Sequence, residues 1–323
     1  MISRVDVDDA AIRYLSRRDV ERLAVSASEI ADRLETLLVA ERAGDAWEAP
    51  KASIVPGEGR LSLALLSAAR EPSLAVLKTV GVSSVNAARG LPHIGGIIVA
   101  HDGESGMPVA ILDAEHITAV RTAAISLVAA RRLARAESSS IGFIGCGVQA
   151  QSHLDALASE LPVERIVAFS RRRESAEALC TRAEAGGLAG RVTVNAGDAI
   201  ADVDIVVSSV PDQPRFHPFL DAGRLRPGAL AIGVDLGRSW IPETFTAFDR
   251  VAVDDLRRHA ARPMITAVPV DADLHSLVAE TRRTDRTART AFMFGGVGLG
   301  DLAAASICLD RARERGVGVT LER

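Results

Sequence analysis

The sequence predicts an α/β protein in which a doubly wound parallel sheet is joined to a second, α+β domain. Short apolar strands alternate with helices from about residue 140 onward, and a glycine-rich turn follows the first of these strands. Only 3% of the residues are aromatic, so the core must be built from Ala, Val, Leu and Ile, which suits buried strands and Ala-rich helices. The 323 residues are enough for two domains of roughly 100–200 residues each.

The composition excludes several classes of protein. A hydrophobic content of 48% and a net charge of −4 exclude a disordered chain and give no support to nucleic-acid binding. We find neither an apolar run of the ~20 residues that a spanning helix needs nor the apolar core of a signal peptide. Cys146, Cys180 and Cys308 are too dispersed for disulfides or a zinc site. We therefore expect a soluble cytoplasmic protein without a bound metal.

The first 112 residues show two sequence patterns, one typical of helices and one typical of strands. The first forty are predicted to be helical, because Ser16 and Asp19 have capping-box spacing and apolar residues from Ile30 to Leu38 recur on one helical face. Residues 51–112 are predicted to form strands, since Gly and Pro divide them into short apolar runs. The clearest hairpin joins residues 96–100 to 108–112.

An Ala-rich helix from Thr118 begins the second domain, so the boundary is predicted near residue 119. The alternating strands and helices that follow favour a parallel sheet. The predicted strands are residues 141–144, 166–169, 204–207, 229–232, 251–253 and 291–294. The predicted helices are 147–160, 174–185 and about 299–315.

A dinucleotide-binding motif, G-x-G-x-x-A, occupies residues 145–150 directly after a strand and at the start of a helix. Gly145 would allow the tight turn, Gly147 would let a pyrophosphate approach the backbone, and Ala150 would let the helix pack closely. Val148 and Gln149 lie in the first helical turn, whose amides favour an anion. This context predicts a Rossmann-type domain that binds NAD or NADP, against the alternative of a plain strand–turn–helix rich in small residues.

The end of the next strand bears on the choice between these cofactors. NAD-selective sites usually carry an acidic residue there, which accepts the ribose 2′-hydroxyl. This chain has Ser170 and Arg171 at that place, and the first carboxylate is Glu174. A hydroxyl and a guanidinium can both donate to a 2′-phosphate, so NADP is favoured over NAD. The alternative is a solvated basic helix start.

Several motifs occur in the order found in one family, which the chain resembles: the ornithine cyclodeaminase/mu-crystallin family. The matching segments are residues 77–78, 86–98, 106–108, 117–124, 142–150, 233–238 and 296–303. The resemblance implies a substrate-binding and dimerisation domain of residues 1–119, completed by 297–323, and a Rossmann domain of residues 120–296. It also implies a homodimer, because dimers of this family join the sheets of their small domains.

The resemblance implies a role for each of three basic residues. Arg121 corresponds to the arginine that clamps the substrate carboxylate and is also expected to contact the cofactor; an exposed helix arginine is the alternative. Lys78, inside an apolar strand, corresponds to a lysine that touches substrate and takes part in proton transfer; the alternative is a lysine that reaches solvent from a sheet edge. Lys51 stands where the family commonly has an arginine on the same carboxylate.

Three further residues have counterparts in the family. Asp235 follows a strand of the parallel sheet and corresponds to the catalytic acid/base; the alternative is a turn or cap residue. Ser209 corresponds to a hydroxyl residue beside the cofactor. His93 stands where a threonine often lies near the nicotinamide, although a satisfied strand histidine is an equal alternative. After Gly237-Arg238, the pair Ser239-Trp240 departs from the family pattern.

The resemblance leaves three functions open. The first is an NAD(P)H-dependent oxidoreductase that transfers a hydride between nicotinamide and the α-carbon of a small imino or amino acid. The second is ornithine cyclodeamination with catalytic NAD. It ranks lower because residues 61–68 lack the acid and the Met-Pro pair of the cyclodeaminases. The third is a non-catalytic NADP-dependent binding protein of mu-crystallin type, against which Lys78, Arg121 and Asp235 argue.

Overall fold

The computed structural model describes residues 11–211, 216–261, 267–280 and 285–322. It divides into two compact units, one formed by Met1–Arg121 with Val297–Arg323 and the other by Thr122–Gly296. The substrate and cofactor roles assigned to residues 1–119 with 297–323 and to 120–296 remain predictions. None of the helices within the described ranges is long and apolar enough to cross a membrane.

The described residues form nine α-helices, three short 3₁₀ helices and sixteen strands. The helices are α1 (Arg17–Leu23), α2 (Ala27–Ala43), α3 (Glu115–Leu133), α4 (Val148–Glu160), α5 (Arg173–Ala185), α6 (Ala196–Ile200), α7 (Leu256–Ala261), α8 (Leu274–Ala279) and α9 (Gly298–Arg315), with 3₁₀ turns at Ser84–Arg89, Ala222–Arg224 and Pro242–Ala247. The strands are β1 (Ala11–Leu15), β2 (Ala46–Glu48), β3 (Ala52–Gly57), β4 (Arg60–Ala69), β5 (Leu74–Ser83), β6 (Ile94–Asp102), β7 (Pro108–Asp113), β8 (Ser140–Ile144), β9 (Arg165–Phe169), β10 (Ala189–Val192), β11 (Ile205–Ser208), β12 (Leu230–Gly233), β13 (Arg250–Val253), β14 (Ala272–Asp273), β15 (Thr290–Met293) and β16 (Val319–Glu322).

The first unit is built on a mixed sheet with the order β16-β1-β7-β6-β5-β4-β2, and β3 shares the outer edge of β4 with β2. Helices α2 and α9 pack on each other, and α9 packs on β4 and β5. One cross-strand row, Leu65–Lys78–Ile98–Leu112–Leu15, is buried throughout. Because paired residues lie on one face of a sheet, Lys78 lies among buried apolar side chains.

The expectation of a wholly helical start is wrong, because residues 11–15 form β1. This strand pairs in parallel with β7 and antiparallel with β16, so its backbone groups find partners in two segments remote in sequence. The helical prediction holds from Ser16 onward. The Ser16 hydroxyl accepts from the Asp19 amide, the Asp19 carboxylate accepts from the Ser16 amide, and α1 begins at Arg17.

The second unit contains a parallel sheet in the order β10-β9-β8-β11-β12-β15-β13-β14, which confirms the predicted fold class. Its strands lie within one or two residues of the predicted ones, and β10 and β14 are additional. The chain moves from β8 outward to β10 and then returns to β11 on the other side of β8. Open α/β sheets bind ligands at such a switch point, beyond the carboxyl ends of the strands.

Candidate active site

The glycine turn after β8 lies at this switch point. Gly145 has φ +84°, and a Cβ at this residue would lie 2.9 Å from the carbonyl oxygen of Ser209, so a side chain is excluded by both conformation and space. The Gly145 amide donates to the Phe169 carbonyl at 2.9 Å, and the Ser209 hydroxyl donates to the Gly145 carbonyl at 3.2 Å. Ser209 therefore lies against the glycine turn, and its predicted place beside the cofactor remains a prediction.

Gly147 is the N-cap of α4, at φ −87°, where an L-residue is allowed. A Cβ here would meet nothing within 4 Å among the described atoms, and no described side chain caps the helix. Within the first turn of α4, Val148 is 63% exposed, whereas Ala150 is buried. The first-turn amides, with Gln149 among them, thus form an open N-terminus with donors for an anion.

Ser170 and Arg171 follow β9, at the same end of the sheet as the glycine turn. Ser170 is half-buried and accepts a hydrogen bond from the Arg172 amide at 3.3 Å, while Arg171 is exposed. A hydroxyl and a guanidinium at this strand end can act as donors to a phosphate. Their contact with a 2′-phosphate remains a prediction.

Asp235 lies two residues beyond β12 and is 4% exposed. Its carboxylate accepts from the Ser239 hydroxyl at 2.5 Å and from the Ser208 hydroxyl at 3.1 Å. The Trp240 indole donates to Ser208 at 3.2 Å, which completes a buried network. Burial raises the pKa of Asp235, and the two hydroxyl donors oppose that rise. The following residue, Leu236, has φ +63°, a strained value for a side-chain-bearing residue.

Asp235 lies in a turn, in keeping with the predicted alternative, since its carbonyl accepts from the Arg238 amide at 3.2 Å. Its carboxylate is nevertheless buried and accepts from two side-chain hydroxyls as well as from the Val210 amide at 3.5 Å, so it does more than close the turn; its catalytic role remains a prediction. Ser208 and Ser239 were not predicted as part of the site. The break in the family pattern at Ser239-Trp240 was the available signal, because both residues join the network.

A buried ionic cluster lies in the first unit. Lys78 Nζ is 2.6 Å from Asp301 Oδ1, and Arg121 Nε is 3.1 Å from the same oxygen. The side chains of Lys78 and Asp301 are each 1% exposed, and that of Arg121 is 8% exposed. Lys78 lies on β5, between β4 and β6, so neither an edge lysine nor an exposed helix arginine describes these residues.

When Lys78 is protonated, the cluster of Lys78, Arg121 and Asp301 carries a net charge of +1, since two cations share one carboxylate. Nη1 of Arg121 and Oδ2 of Asp301 are buried without a hydrogen-bond partner among the residues that the structure describes, and Nε of Arg121 is close enough to Asp301 for an ion pair but makes no hydrogen bond. A buried uncompensated charge is costly, and a small carboxylate ligand would neutralise it. The arrangement therefore fits an anion-binding site.

Burial, the largest cause, and the charges of Arg121 and Lys51 lower the pKa of Lys78, whereas Asp301 raises it, and the net pKa is about 7. Lys51 immediately precedes β3. Its charge lowers the pKa of Lys78, with which it was predicted to bind the substrate carboxylate. Near neutral pH, Lys78 can consequently gain or lose a proton. Sequence reasoning missed Asp301, although it stands within the matching segment 296–303 and is the one charged residue among residues 299–309 at the start of the predicted helix, which was a visible signal.

His93 is half-buried and links the ends of β5 and β6. Its Nδ1 is 3.0 Å from the Ser83 carbonyl oxygen, and its own carbonyl accepts from the Ser83 amide at 3.0 Å. These bonds suit a histidine that fixes local structure. The predicted proximity to nicotinamide remains a prediction.

The model of the ornithine cyclodeaminase/mu-crystallin family matches residues 12–243. The chain belongs to this family. It is 35% identical over 284 residues to delta(1)-pyrroline-2-carboxylate reductase 2 of Burkholderia ambifaria, which covers 85% of this chain and 88% of that protein.

Solved structures agree with this membership. An archaeal alanine dehydrogenase dimer with bound NAD superposes with a TM-score of 0.86 and 26% identity, covering 96% of this chain and 99% of that one. A lysine cyclodeaminase, described for its recognition of L-lysine, L-ornithine and L-2,4-diaminobutyric acid, gives a TM-score of 0.85 and 26% identity over 96% of this chain and 95% of that one. Structures similar to this chain therefore include both an alanine dehydrogenase and a lysine cyclodeaminase.

Proposed function

We propose that the protein is an NAD(P)H-dependent oxidoreductase that transfers a hydride between nicotinamide and the α-carbon of a small imino or amino acid. The observation that carries this proposal is the buried Lys78–Asp301–Arg121 cluster, whose net charge of +1 calls for a carboxylate ligand. The similarity to a pyrroline-2-carboxylate reductase and to an alanine dehydrogenase supports it, since both names denote reactions at the α-carbon of a carboxylate.

The second unit fits a dinucleotide cofactor. Gly145 admits no side chain, Gly147 leaves open space at a helix N-terminus, and Ser209 braces the turn. Gly145, Gly147, Val148, Gln149 and Ala150 would therefore hold the pyrophosphate through the backbone. When bound, the nicotinamide would supply or accept the hydride.

The chain's own side chains would bind the substrate and move the proton. Arg121 and Lys78, with Lys51, would hold the carboxylate through charge-assisted hydrogen bonds. Reduction of an imine also needs one proton at nitrogen for each hydride delivered to carbon. Asp235 suits that task because burial favours its protonated form, and Lys78 can assist because its pKa of about 7 is close to neutral.

The reductase activity can be tested with purified protein, NADPH and a panel of cyclic and acyclic imino acids. We expect consumption of NADPH with at least one substrate and formation of the corresponding amino acid. Asp235→Asn should abolish turnover while leaving NADPH binding intact. Absence of turnover across the panel, in both directions and with both cofactors, would refute the proposal.

We further propose that NADP is preferred over NAD through Ser170 and Arg171. Arg171→Ala should raise KM for NADPH and leave KM for NADH nearly unchanged, since a charge-assisted hydrogen bond contributes about 1.5–3 kcal/mol. Arg173→Ala is the matched control, because Arg173 is exposed nearby and pairs with Glu177 at 2.7 Å. Equal effects of the two substitutions would assign Arg171 to a solvated helix start instead.

We also propose a homodimer formed through the exposed face of the first unit's sheet. The cross-strand row Leu66–Leu77–Val99–Ile111–Tyr14–Val319 runs across the face opposite Lys78. Leu66, Tyr14 and Val319 are exposed there, and Ile54 and Ile97 border a groove of about 570 Å³. Large exposed apolar patches mark interaction sites. Light scattering should give the mass of a dimer, and Ile54→Asp should favour the monomer.

Cyclodeamination is the second candidate, because a lysine cyclodeaminase is among the similar structures. It would release ammonia and a cyclic amino acid from ornithine or lysine with only catalytic NAD+ and no net NADH. Strand β4 carries no carboxylate that could hold a distal ammonium. We therefore expect no ammonia release, and its appearance would reverse the order of the two candidates.

A further inference from the structure

The buried carboxylate of Asp301 is a structural centre of the proposed substrate site. It lies in the first turn of α9, where the positive end of the helix dipole stabilises an anion. Its Oδ1 contacts Lys78 Nζ and Arg121 Nε, so one oxygen joins a strand residue to a residue of α3.

Resting on the proposed function, we propose that Asp301 is a positioning residue: it fixes Lys78 and Arg121 for the substrate carboxylate and keeps Lys78 protonated when that carboxylate binds. Both roles depend on one atom, because Oδ1 of Asp301 contacts both Lys78 and Arg121. Loss of the carboxylate would remove the counter-ion that the two buried cations share, which favours deprotonation of the lysine, because the arginine keeps its proton.

The charged groups around Lys78 set its pKa. Arg121 on α3 and Lys51 before β3 both lower the pKa of Lys78, and Asp301 on α9 is the group that raises it. The Thr118 hydroxyl is 3.5 Å from Nζ. Glu48 on β2 accepts from the Leu299 amide at 3.3 Å, so its carboxylate is engaged at the start of α9.

This arrangement predicts a pH-dependent affinity for carboxylates. In the wild-type protein, binding should weaken as the pH rises through the pKa of Lys78 at about 7, because one of the two cations is lost. An opposite charge at contact distance typically changes a pKa by 1–3. Asp301→Asn should therefore move the weakening to a pH lower by at least about one unit, and it should raise KM for the imino acid about tenfold through the loosened Arg121.

The experiment measures binding of pyrrole-2-carboxylate, a carboxylate that cannot be reduced at its α-carbon by hydride, to the NADP+-loaded protein across the pH range. Asp301→Asn is compared with wild type and with Asp310→Asn, a control on the same helix whose carboxylate pairs with Arg313 at 3.2 Å. KM and kcat for an active imino acid are measured with the same variants. We expect the control to match wild type and Asp301→Glu to restore the wild-type pH profile.

Each outcome decides the proposal. An Asp301→Asn profile equal to wild type would overturn it, and so would a loss that Asp301→Glu does not restore, since charge would then not be the cause. If the Asn variant does not fold, Asp301→Ser, which is uncharged and leaves room for water, is read in the same way. Failure of the wild type to reduce any imino acid would overturn the proposed function, whereas the binding profile would still test Asp301.

Discussion

Replacement of Gly147 by Ala should weaken cofactor binding while leaving the stability of the fold nearly unchanged. The residue has φ −87° and open space around it, so an alanine fits the apo-protein without strain. An N-cap glycine replaced by alanine loses about 0.5–1 kcal/mol of helix capping. Reduced flexibility of the unfolded chain returns about 0.4–1 kcal/mol. The two effects nearly cancel, so we expect the Tm of the apo-protein to change by less than about 4 °C.

The same methyl group would project into the space where a pyrophosphate approaches the helix amides. Loss of one charge-assisted hydrogen bond costs about 1.5–3 kcal/mol, which corresponds to a Kd for NADPH raised about 10- to 100-fold. Fluorescence titration with NADPH gives the Kd, and a thermal melt of the same sample gives the Tm.

Two glycines provide controls for this experiment. Gly57→Ala also enters open space, but on β3 of the other unit, so it should change neither quantity. Gly145→Ala should destabilise the fold by about 1–3 kcal/mol, because its backbone is left-handed and its Cβ would press on Ser209. A wild-type affinity for NADPH in Gly147→Ala would refute the assignment of the turn to the pyrophosphate.

Three further predictions concern the buried polar groups. Ser239→Ala removes a donor at 2.5 Å from Asp235, so the pKa of Asp235 should rise further and the associated limb of the pH–rate profile should move to higher pH; an unchanged profile would contradict a catalytic Asp235. Because folding lowers the pKa of Lys78 from 10.5 to about 7, the unfolded chain binds more protons between those values and stability should rise there with pH, by at most about 1.4 kcal/mol per pH unit. Urea unfolding of wild type and Lys78→Met should show this slope only in wild type. Arg121→Lys keeps the charge but not the two-pronged donor, so KM for the imino acid should rise about tenfold while kcat falls less, and an unaltered KM would remove Arg121 from the carboxylate site.

The parallel sheet was predictable because its signals are local. Each strand is a short apolar run, each helix follows within a few residues, and the glycine turn lies between the first pair. β1 was not predictable in this way. Its five residues, Ala11–Leu15, become a strand because β7 and β16 pair with them, and β16 lies at the opposite end of the sequence. Local secondary-structure propensity holds no information about a partner strand about 300 residues away.

The candidate site shows the same limit at the level of single side chains. The position of Lys78 in an apolar strand predicts that it faces either solvent or a partner, but strand alternation cannot say which. The deciding carboxylate, Asp301, is 223 residues away on α9. Asp301 can be recognised as the partner of Lys78 only when the packing of α9 on β5 is known, because an ion pair at 2.6 Å depends on the placement of two backbones. In the same way, Ser239 was noticed in the sequence as a departure from the family pattern, and the contact with Asp235 gives that departure a chemical reason. Residues that act through others are therefore found from the structure, whereas residues that belong to a contiguous motif are found from the sequence.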